Sequence, residues 1–366
     1  MNALEVRSEL AIHGIKVDAP VRRSGGAGPT GDCHISLNGV AAAVPTNPDS
    51  PYSVQDGRVF VNGMDVGIDV NLVDRPRFYD EKTSDGIEMH RIARLHGTNV
   101  LATTVVQTCV RYEPSQRCKY CSIEESLRSG ATTRVKTPSQ LAEVAVAAVQ
   151  LDNVSNMVMT TGTAATGDRG SRYLARCVEA VKSEVPKLPI QIQCEPPDDL
   201  CLLEDLRTAG ADSIGIHVES LDDVLRRIWL PGKATIPLER YWVAWKRAVE
   251  IFGWNQVSTY LLIGLGENSS DILDWAQKLI SIGVFPFVVP VRPGTATLAA
   301  KAGLQDPNPS VVAEISAAVM ELLYSAGMSA TDQRAGCATC GACSTVSSGA
   351  LGTSSSRPPV RLDQDA

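Results

Sequence analysis

From about Val100 the sequence repeats one unit, a short apolar run rich in β-branched residues followed by a longer amphipathic stretch. The pattern predicts strands over 101–107, 156–161, 189–195, 213–219, 256–263 and 284–291. It predicts helices over 139–151, 172–184, 200–209, 238–252, 272–281 and 310–326. Pro138 and Pro309 stand where helices should begin, since the first turn has no use for the N–H that proline lacks. Gly210, Gly253, Gly283 and Gly327 stand where helices should end. Strands joined through helices pair in parallel. Six such units predict an α/β fold, a complete or partial (β/α) barrel, with its site at the C-terminal ends of the strands.

Residues 1–98 follow a different pattern and read as a small β-rich N-terminal extension. Asp56-Gly57, set between extended runs, marks a hairpin. A glycine-rich stretch over 22–31 lacks the Gly-Lys-Ser/Thr ending of a phosphate loop, leaving a surface loop or backbone amides that face substrate. The barrel core is expected over 99–308, and a helix with a cysteine-rich segment over 309–345. The Ser/Gly/Thr-rich tail over 346–366 reads as disordered.

Composition narrows the function classes. An apolar fraction of 44% over 366 residues is ample for a sizeable core. A net charge of −7, with no Lys/Arg block, gives no footprint for a nucleic-acid polymer. No apolar run approaches the ~20 residues of a membrane span, and MNALEVRSEL lacks a signal-peptide core. The expected setting is cytoplasmic.

Ten cysteines are the unusual feature. Cys33, Cys177, Cys194 and Cys201 are scattered and read as small buried apolar residues. The other six fall into two groups, Cys109/Cys118/Cys121 and Cys337/Cys340/Cys343. Such clustering in a reducing compartment points to metal ligation rather than disulfides. The first group, spaced C-x8-C-x2-C, follows the first barrel strand and so sits in a loop at the catalytic rim. Three soft ligands leave one metal position open; a zinc site is the alternative. The second group, C-x2-C-x2-C, has the small residues Ala338, Gly341 and Ala342 around it and suits a bulky cluster, with zinc again the alternative.

The first group resembles the radical S-adenosylmethionine (radical SAM) superfamily, whose usual signature is C-x3-C-x2-C with an aromatic residue before the last cysteine, here Tyr120. Eight residues replace the usual three in the first interval. The second strand ends in Thr160, Thr161, Gly162 and Thr163, where that family has a Gly-Gly-Glu-like turn for the methionyl amino group. The acid is missing, so backbone carbonyls and hydroxyls are expected to do that work, or Glu195 to substitute. The fifth strand, ending at Ile263-Gly264 and followed by Glu267, resembles the family's adenine-binding strand. The resemblance spans about 100–345 and is nearest to the biotin synthase-like branch associated with nitrilase gene clusters.

The resemblance implies that the first group holds a [4Fe–4S] cluster whose open iron chelates S-adenosylmethionine, from which one electron releases a 5′-deoxyadenosyl radical. Cofactor contacts are then expected from Tyr120, Thr160, Thr161, Gly162, Thr163, Glu195, Glu219, Ile263 and Gly264. Catalytic roles are expected for Glu195, His217, Glu219 and Arg292, the last binding a substrate carboxylate or phosphate, touching a cluster, or making a plain salt bridge. The second group implies an auxiliary [4Fe–4S] cluster. The resemblance to sulfur inserters implies that this cluster donates sulfur for C–S bond formation on a small polar metabolite such as a nucleoside or sugar, a thiosugar nucleoside among them. The alternative is an electron relay in oxidation, rearrangement or fragmentation; a purely structural cluster that stitches the tail across the barrel mouth is also open. Partners implied are the small-molecule substrate, a flavodoxin or ferredoxin-type reductant, and cluster-assembly or sulfur-supply proteins. Arg226, Arg227 and Arg240 read as solvated helix faces.

Overall fold

The computed structural model describes residues 1–17, 32–294 and 296–346. The glycine-rich stretch at 22–31, Thr295 and the tail from 347 lie outside the described residues.

The N-terminal unit opens with helix α1 (Ala3–His13), which the sequence reading did not anticipate. Asn2 and Glu5 form a capping box at its start. Strands β1 (Asp32–Leu37), β2 (Val40–Pro45), β3 (Tyr52–Gln55), β4 (Arg58–Val61) and β5 (Met64–Leu72) follow. They make one sheet in the order β2-β1-β5-β4-β3, antiparallel at every joint. The expected hairpin is present, with Asp56 (φ 47°) and Gly57 (φ 73°) both left-handed between β3 and β4. Val6, Leu10, Ile15, Ile35 and Val59 pack into a core separate from that of the barrel.

The second sheet begins with β6 (Arg94–His96), an antiparallel edge strand absent from the sequence reading, paired to β7 (Val100–Thr104). After β7 come a short helix α2 (Glu125–Arg128), α3 (Pro138–Asp152), β8 (Asn156–Thr160), α4 (Ser171–Glu184), β9 (Ile190–Gln193) and α5 (Leu202–Thr208). Then follow β10 (Ser213–Gly215), α6 (Asp223–Trp229), α7 (Leu238–Phe252), β11 (Val257–Ile263), α8 (Ser269–Ser281) and β12 (Val284–Pro290). Helices α9 (Leu298–Lys301), α10 (Pro309–Ser325) and the single turn α11 (Cys337–Cys340) are the last α-helices among the described residues.

Strands β7 to β12 are parallel and in sequential order. Edges β6 and β12 do not pair, so the barrel is partial. The helices form where their caps and stripes dictate. Thr137 and Gln140 form a capping box around Pro138. On α7, Tyr241, Ala244, Trp245, Ala248 and Phe252 make the buried stripe that covers the sheet. Strand β10 stops four residues short of its predicted end, because the Val218 N–H turns to the Thr259 hydroxyl (3.0 Å).

The N-terminal unit and the C-terminal cysteine segment lie across the gap between β6 and β12. The Ser344 hydroxyl donates to the Val288 carbonyl on edge strand β12. The Ala43 N–H donates to the Ala342 carbonyl (2.8 Å). At the other edge Gly97, in the β6–β7 turn, leaves only 3.1 Å between a would-be Cβ and Cys340 Sγ. Helix α1 packs against α10. Among the described residues no helix is long and apolar enough to cross a membrane.

Candidate active site

The loop after β7 carries the first cysteine group, as expected. Its long spacing is held by Arg111, which sequence reasoning missed. The Arg111 guanidinium donates from Nε (3.0 Å) and Nη2 (3.0 Å) to the Glu195 carboxylate, and from Nη1 to the Gly232 carbonyl. Gly232 in turn donates to the Gln116 carbonyl (2.7 Å), so close that a Cβ would lie 2.4 Å from that oxygen. Lys119 is pinned at both backbone groups, by the Trp229 carbonyl and the Ala299 amide. The extra residues between Cys109 and Cys118 are thus a braced arch.

The turn after β8 serves that arch. Gly162 approaches Thr108 so closely that a Cβ would sit 2.0 Å from its carbonyl oxygen. The Gly162 N–H donates to Val106, Val105 donates to the Thr160 carbonyl, and Val110 to the Thr163 carbonyl. The Thr161 hydroxyl donates to the Gly162 carbonyl (3.0 Å). The Thr160 and Thr163 carbonyls and the Gly162 N–H of this turn therefore brace the segment that leads into the cysteine loop.

The Glu195 carboxylate is buried and paired with Arg111. Glu219 lies beyond the end of β10 with a left-handed backbone (φ 66°), so it does not alternate with His217 along a strand. Its carboxylate takes two contacts from Lys233 Nζ, at 2.7 and 2.9 Å. Burial raises the Glu219 acid while Lys233 opposes the rise. Both carboxylates, and Lys233 with them, bear on Cys118. Arg292 makes the plain salt bridge of the three readings, to Asp32 (3.2 Å), and donates to the Ala43 carbonyl (3.4 Å). It ties the end of β12 to the N-terminal sheet.

Along β11 the side chains alternate. Ile263 enters the core shared with the helices, whereas Leu262 joins Leu230, Leu265 and Val291 against Cys118 and Tyr120. The apolar shelf beside the first cysteine group is therefore Leu262 and Leu265, one residue either side of the expected Ile263-Gly264 pair. Gly264 (φ 108°) makes the turn, and Glu267 caps it by accepting from the Gly264 and Leu265 amides. Burial lifts the Tyr120 phenol well above its ordinary range, with Glu219, Cys118 and Cys121 adding to the rise.

The second cysteine group enters the barrel from the opposite end. Gly336 (φ 124°) approaches Gln191 so closely that a Cβ would lie 2.2 Å from its Nε2. The Gly336 amide donates to Asn156 Oδ1 (3.2 Å), the Cys337 amide to Gln191 Oε1 (3.2 Å), and the Ser213 hydroxyl to the Ala335 carbonyl (2.8 Å). Asn156, Gln191 and Ser213 stand at or next to the starts of their strands, so this is the lower end. One layer up, the Gln193 amide (3.0 Å) and the Tyr260 hydroxyl (2.9 Å) both donate to Cys337 Sγ. His217 stacks on the Tyr260 ring (centroids 3.9 Å apart), and its Nδ1 accepts the Tyr260 N–H. Its Nε2 is buried without a partner. Burial, with the Lys233 cation helping, pulls the His217 imidazole down to about 3, so it is neutral. Strand alternation along Gln191, Gln193 and Glu195, and along Ser258, Tyr260 and Leu262, was the signal by which these interior residues could have been found.

Both triads suit iron–sulfur clusters by their donors. Burial raises Cys118 well above the ordinary thiol range and lifts Cys121 and Cys337 to about 11. Thiols so desolvated become thiolates only beside a cationic centre such as iron. Two neutral donors aimed at Cys337 Sγ suit a ligating thiolate. Among the described residues no three His, Cys, Asp or Glu side chains converge as they would around a single ion. A cubane instead takes one thiolate at each of several corners. Of the scattered cysteines, Cys33, Cys177 and Cys194 are buried as expected, and Cys201 is exposed. Arg226 is fully buried and caps the Lys233 and Ile236 carbonyls over the Tyr241 ring, not solvated. Arg240 donates to the Pro197 and Asp198 carbonyls just after Glu195.

The site is thus a partial (β/α) barrel with three thiols in the loop after its first parallel strand. The family model for the radical SAM superfamily matches residues 114–279, just under half of the chain and including Cys118, Cys121 and β8 to β11. That match supports the radical SAM superfamily for this chain. No curated protein sequence matches it. A radical SAM methyltransferase from Sphaerobacter thermophilus is 16% identical over 68% of this chain and 70% of that one, with a TM-score of 0.48. The [FeFe]-hydrogenase maturase HydG from Carboxydothermus hydrogenoformans is 20% identical over 63% of this chain and 52% of its own, with a TM-score of 0.45. The chain spans about half the length of that maturase. At such TM-scores these likenesses carry no argument about function.

Proposed function

We propose that the chain is a radical SAM enzyme with two [4Fe–4S] clusters, belongs to the biotin synthase-like branch, and forms a C–S bond on a small polar metabolite. The observation that supports this is the placement of the two triads. Cys337 is held by Gln193 and Tyr260 on the barrel's inner face, and Leu262, two residues further along β11, belongs to the apolar cluster against which Cys118 packs. Two residues of strand rise only ~6.5 Å, so a metabolite between the triads touches both ends of one interior.

Cys109, Cys118 and Cys121 would hold the first cluster, whose radical chemistry through S-adenosylmethionine would break a substrate C–H bond. Cys337, Cys340 and Cys343 would hold the second, which would supply the sulfide that replaces that hydrogen and take up the electron left over. The protein's own work is positioning. Leu262, Leu265 and Tyr120 offer an apolar shelf for a nucleoside base. The paired Arg111–Glu195 and Lys233–Glu219 set the rim without leaving a net charge, and Tyr112 and Arg117 stack at its outer edge. Neutral His217 presents Nε2 to a hydroxyl or amide of the substrate. A neutral polar interior suits a nucleoside or sugar, a thiosugar nucleoside precursor included. The second reading, in which the lower cluster relays an electron, draws on the Tyr260–His217 stack between Cys337 and the rim.

Anaerobic reconstitution is the test. About eight irons per chain are expected, with 5′-deoxyadenosine formed from S-adenosylmethionine under dithionite. Cys118→Ala abolishes that cleavage, whereas replacing Cys337, Cys340 and Cys343 by Ala keeps it at about four irons. Labelled cluster sulfide appearing in product supports sulfur donation. Product formed without the label overturns sulfur donation and favours the relay, and zinc in the upper triad overturns the whole proposal.

A further inference from the structure

Arg7 on α1 belongs to neither triad and to none of the rim pairs, yet it is only 4% exposed. Its guanidinium crosses from the N-terminal unit into the second cysteine loop. Nε donates to the Ser344 carbonyl (3.1 Å), and Nη2 lies within reach of the carbonyls of Ala41 (2.6 Å), Gly341 (2.5 Å) and Ser344 (2.9 Å). The remaining nitrogen, Nη1, is buried and makes no hydrogen bond. Two of its acceptors adjoin the second triad, Gly341 directly after Cys340 and Ser344 directly after Cys343.

A buried cation with an idle donor, hydrogen-bonded to the residues that directly follow Cys340 and Cys343, is arranged for a negative charge that the polypeptide alone does not supply. A cubane held by three thiolates carries such a charge. Lysine in this place would keep the charge but not the fork that reaches several carbonyls at once. We propose that Arg7 is a cationic positioning residue for the second cluster, and that the N-terminal unit thereby completes a site the barrel cannot close alone. This rests on the two-cluster reading above.

The test uses the full chain with Cys109, Cys118 and Cys121 replaced by Ala, so that only the second cluster gives a signal. Iron content, release of iron to a chelator, and midpoint potential by redox-titrated EPR are read for Arg7, Arg7→Lys and Arg7→Met. With Met, the potential is expected to fall, because the reduced and more negative cluster loses its counter-charge. Iron is expected to leave about tenfold faster, the scale of one charge-assisted hydrogen bond. Lys is expected to restore both. Equal potentials and release rates in all three proteins would overturn the role. So would equal loss of the cluster in Lys and Met, which would make Arg7 only a clamp for backbone carbonyls. If Cys337, Cys340 and Cys343 take up no cluster even with Arg7 present, the two-cluster reading fails first and this one with it.

Discussion

The two cysteine groups occupy opposite ends of one half-barrel and are held by opposite kinds of chemistry. Around Cys109, Cys118 and Cys121 the polar groups are full charges, and Arg111–Glu195 and Lys233–Glu219 satisfy each other. Around Cys337 they are neutral side chains, Gln191, Gln193, Asn156 and Tyr260, with Arg7 the buried cation brought in from outside the barrel. Self-paired ions fix a loop rigidly but are spent on one another. Amides and a phenol leave their dipoles directed at sulfur. The upper loop is therefore positioned by ion pairs within the protein, whereas around Cys337 neutral dipoles are directed at a sulfur.

The sharpest way to break this contrast is to leave one ion of the upper pair alone. Arg111→Met strands the Glu195 carboxylate in a buried place, which costs about 3–5 kcal/mol. Denaturant unfolding of the protein with and without reconstitution should show that loss in both. A loss under about 1 kcal/mol would mean that water reaches Glu195 and that the arch is not held by this pair. The matched double change, Arg111→Met with Glu195→Met, should recover most of the stability while leaving the cysteine loop poorly placed. S-adenosylmethionine cleavage should then stay low although the fold is restored.

The same contrast explains what the sequence could and could not show. Parallel strands, helix starts at Pro138 and Pro309, and both thiol groups were legible, because each is written in local period or spacing. The partners of those thiols were not. Arg111 meets Glu195 across 84 positions, and Arg7 meets Gly341 across 334. Neither pairing leaves a local trace, and a lone arginine on an amphipathic helix reads as solvated, as Arg226 did. Glu219 misled for a different reason. Strand alternation was extended past Gly215, where the strand ends, and a left-handed backbone then turns the carboxylate toward Lys233.

Acid sharpens the comparison at the boundary between the two ends. His217 is neutral in the fold, at about 3 against an unfolded value of 6.5. Above 6.5 both states hold it neutral and it favours neither. As pH falls below 6.5 the unfolded chain takes up a proton that the folded one refuses, so stability is lost progressively toward pH 3. Between pH 7 and pH 5 the loss is about 1–2 kcal/mol. His217→Gln should remove that part of the slope when unfolding is followed across the range. An unchanged slope would place the titrating group elsewhere and would free His217 to be charged beside Lys233.

The smallest change separates the two things Tyr260 does. Its hydroxyl donates to Cys337, and its ring stacks on His217. Tyr260→Phe removes the first and keeps the second. One neutral hydrogen bond contributes about 0.5–1.5 kcal/mol, so the unfolding free energy should fall by that amount. The acid response due to His217 should persist, since the ring still shields the imidazole. The upper cluster should load as before, because Cys118 packs against the apolar cluster of Leu230, Leu262, Leu265 and Val291. The lower cluster should lose iron to a chelator faster, since Gln193 then donates to Cys337 without the phenol. If Tyr260→Phe weakened the upper cluster as much as the lower, the two ends would be one coupled polar network, and their difference in chemistry would not be a division of labour.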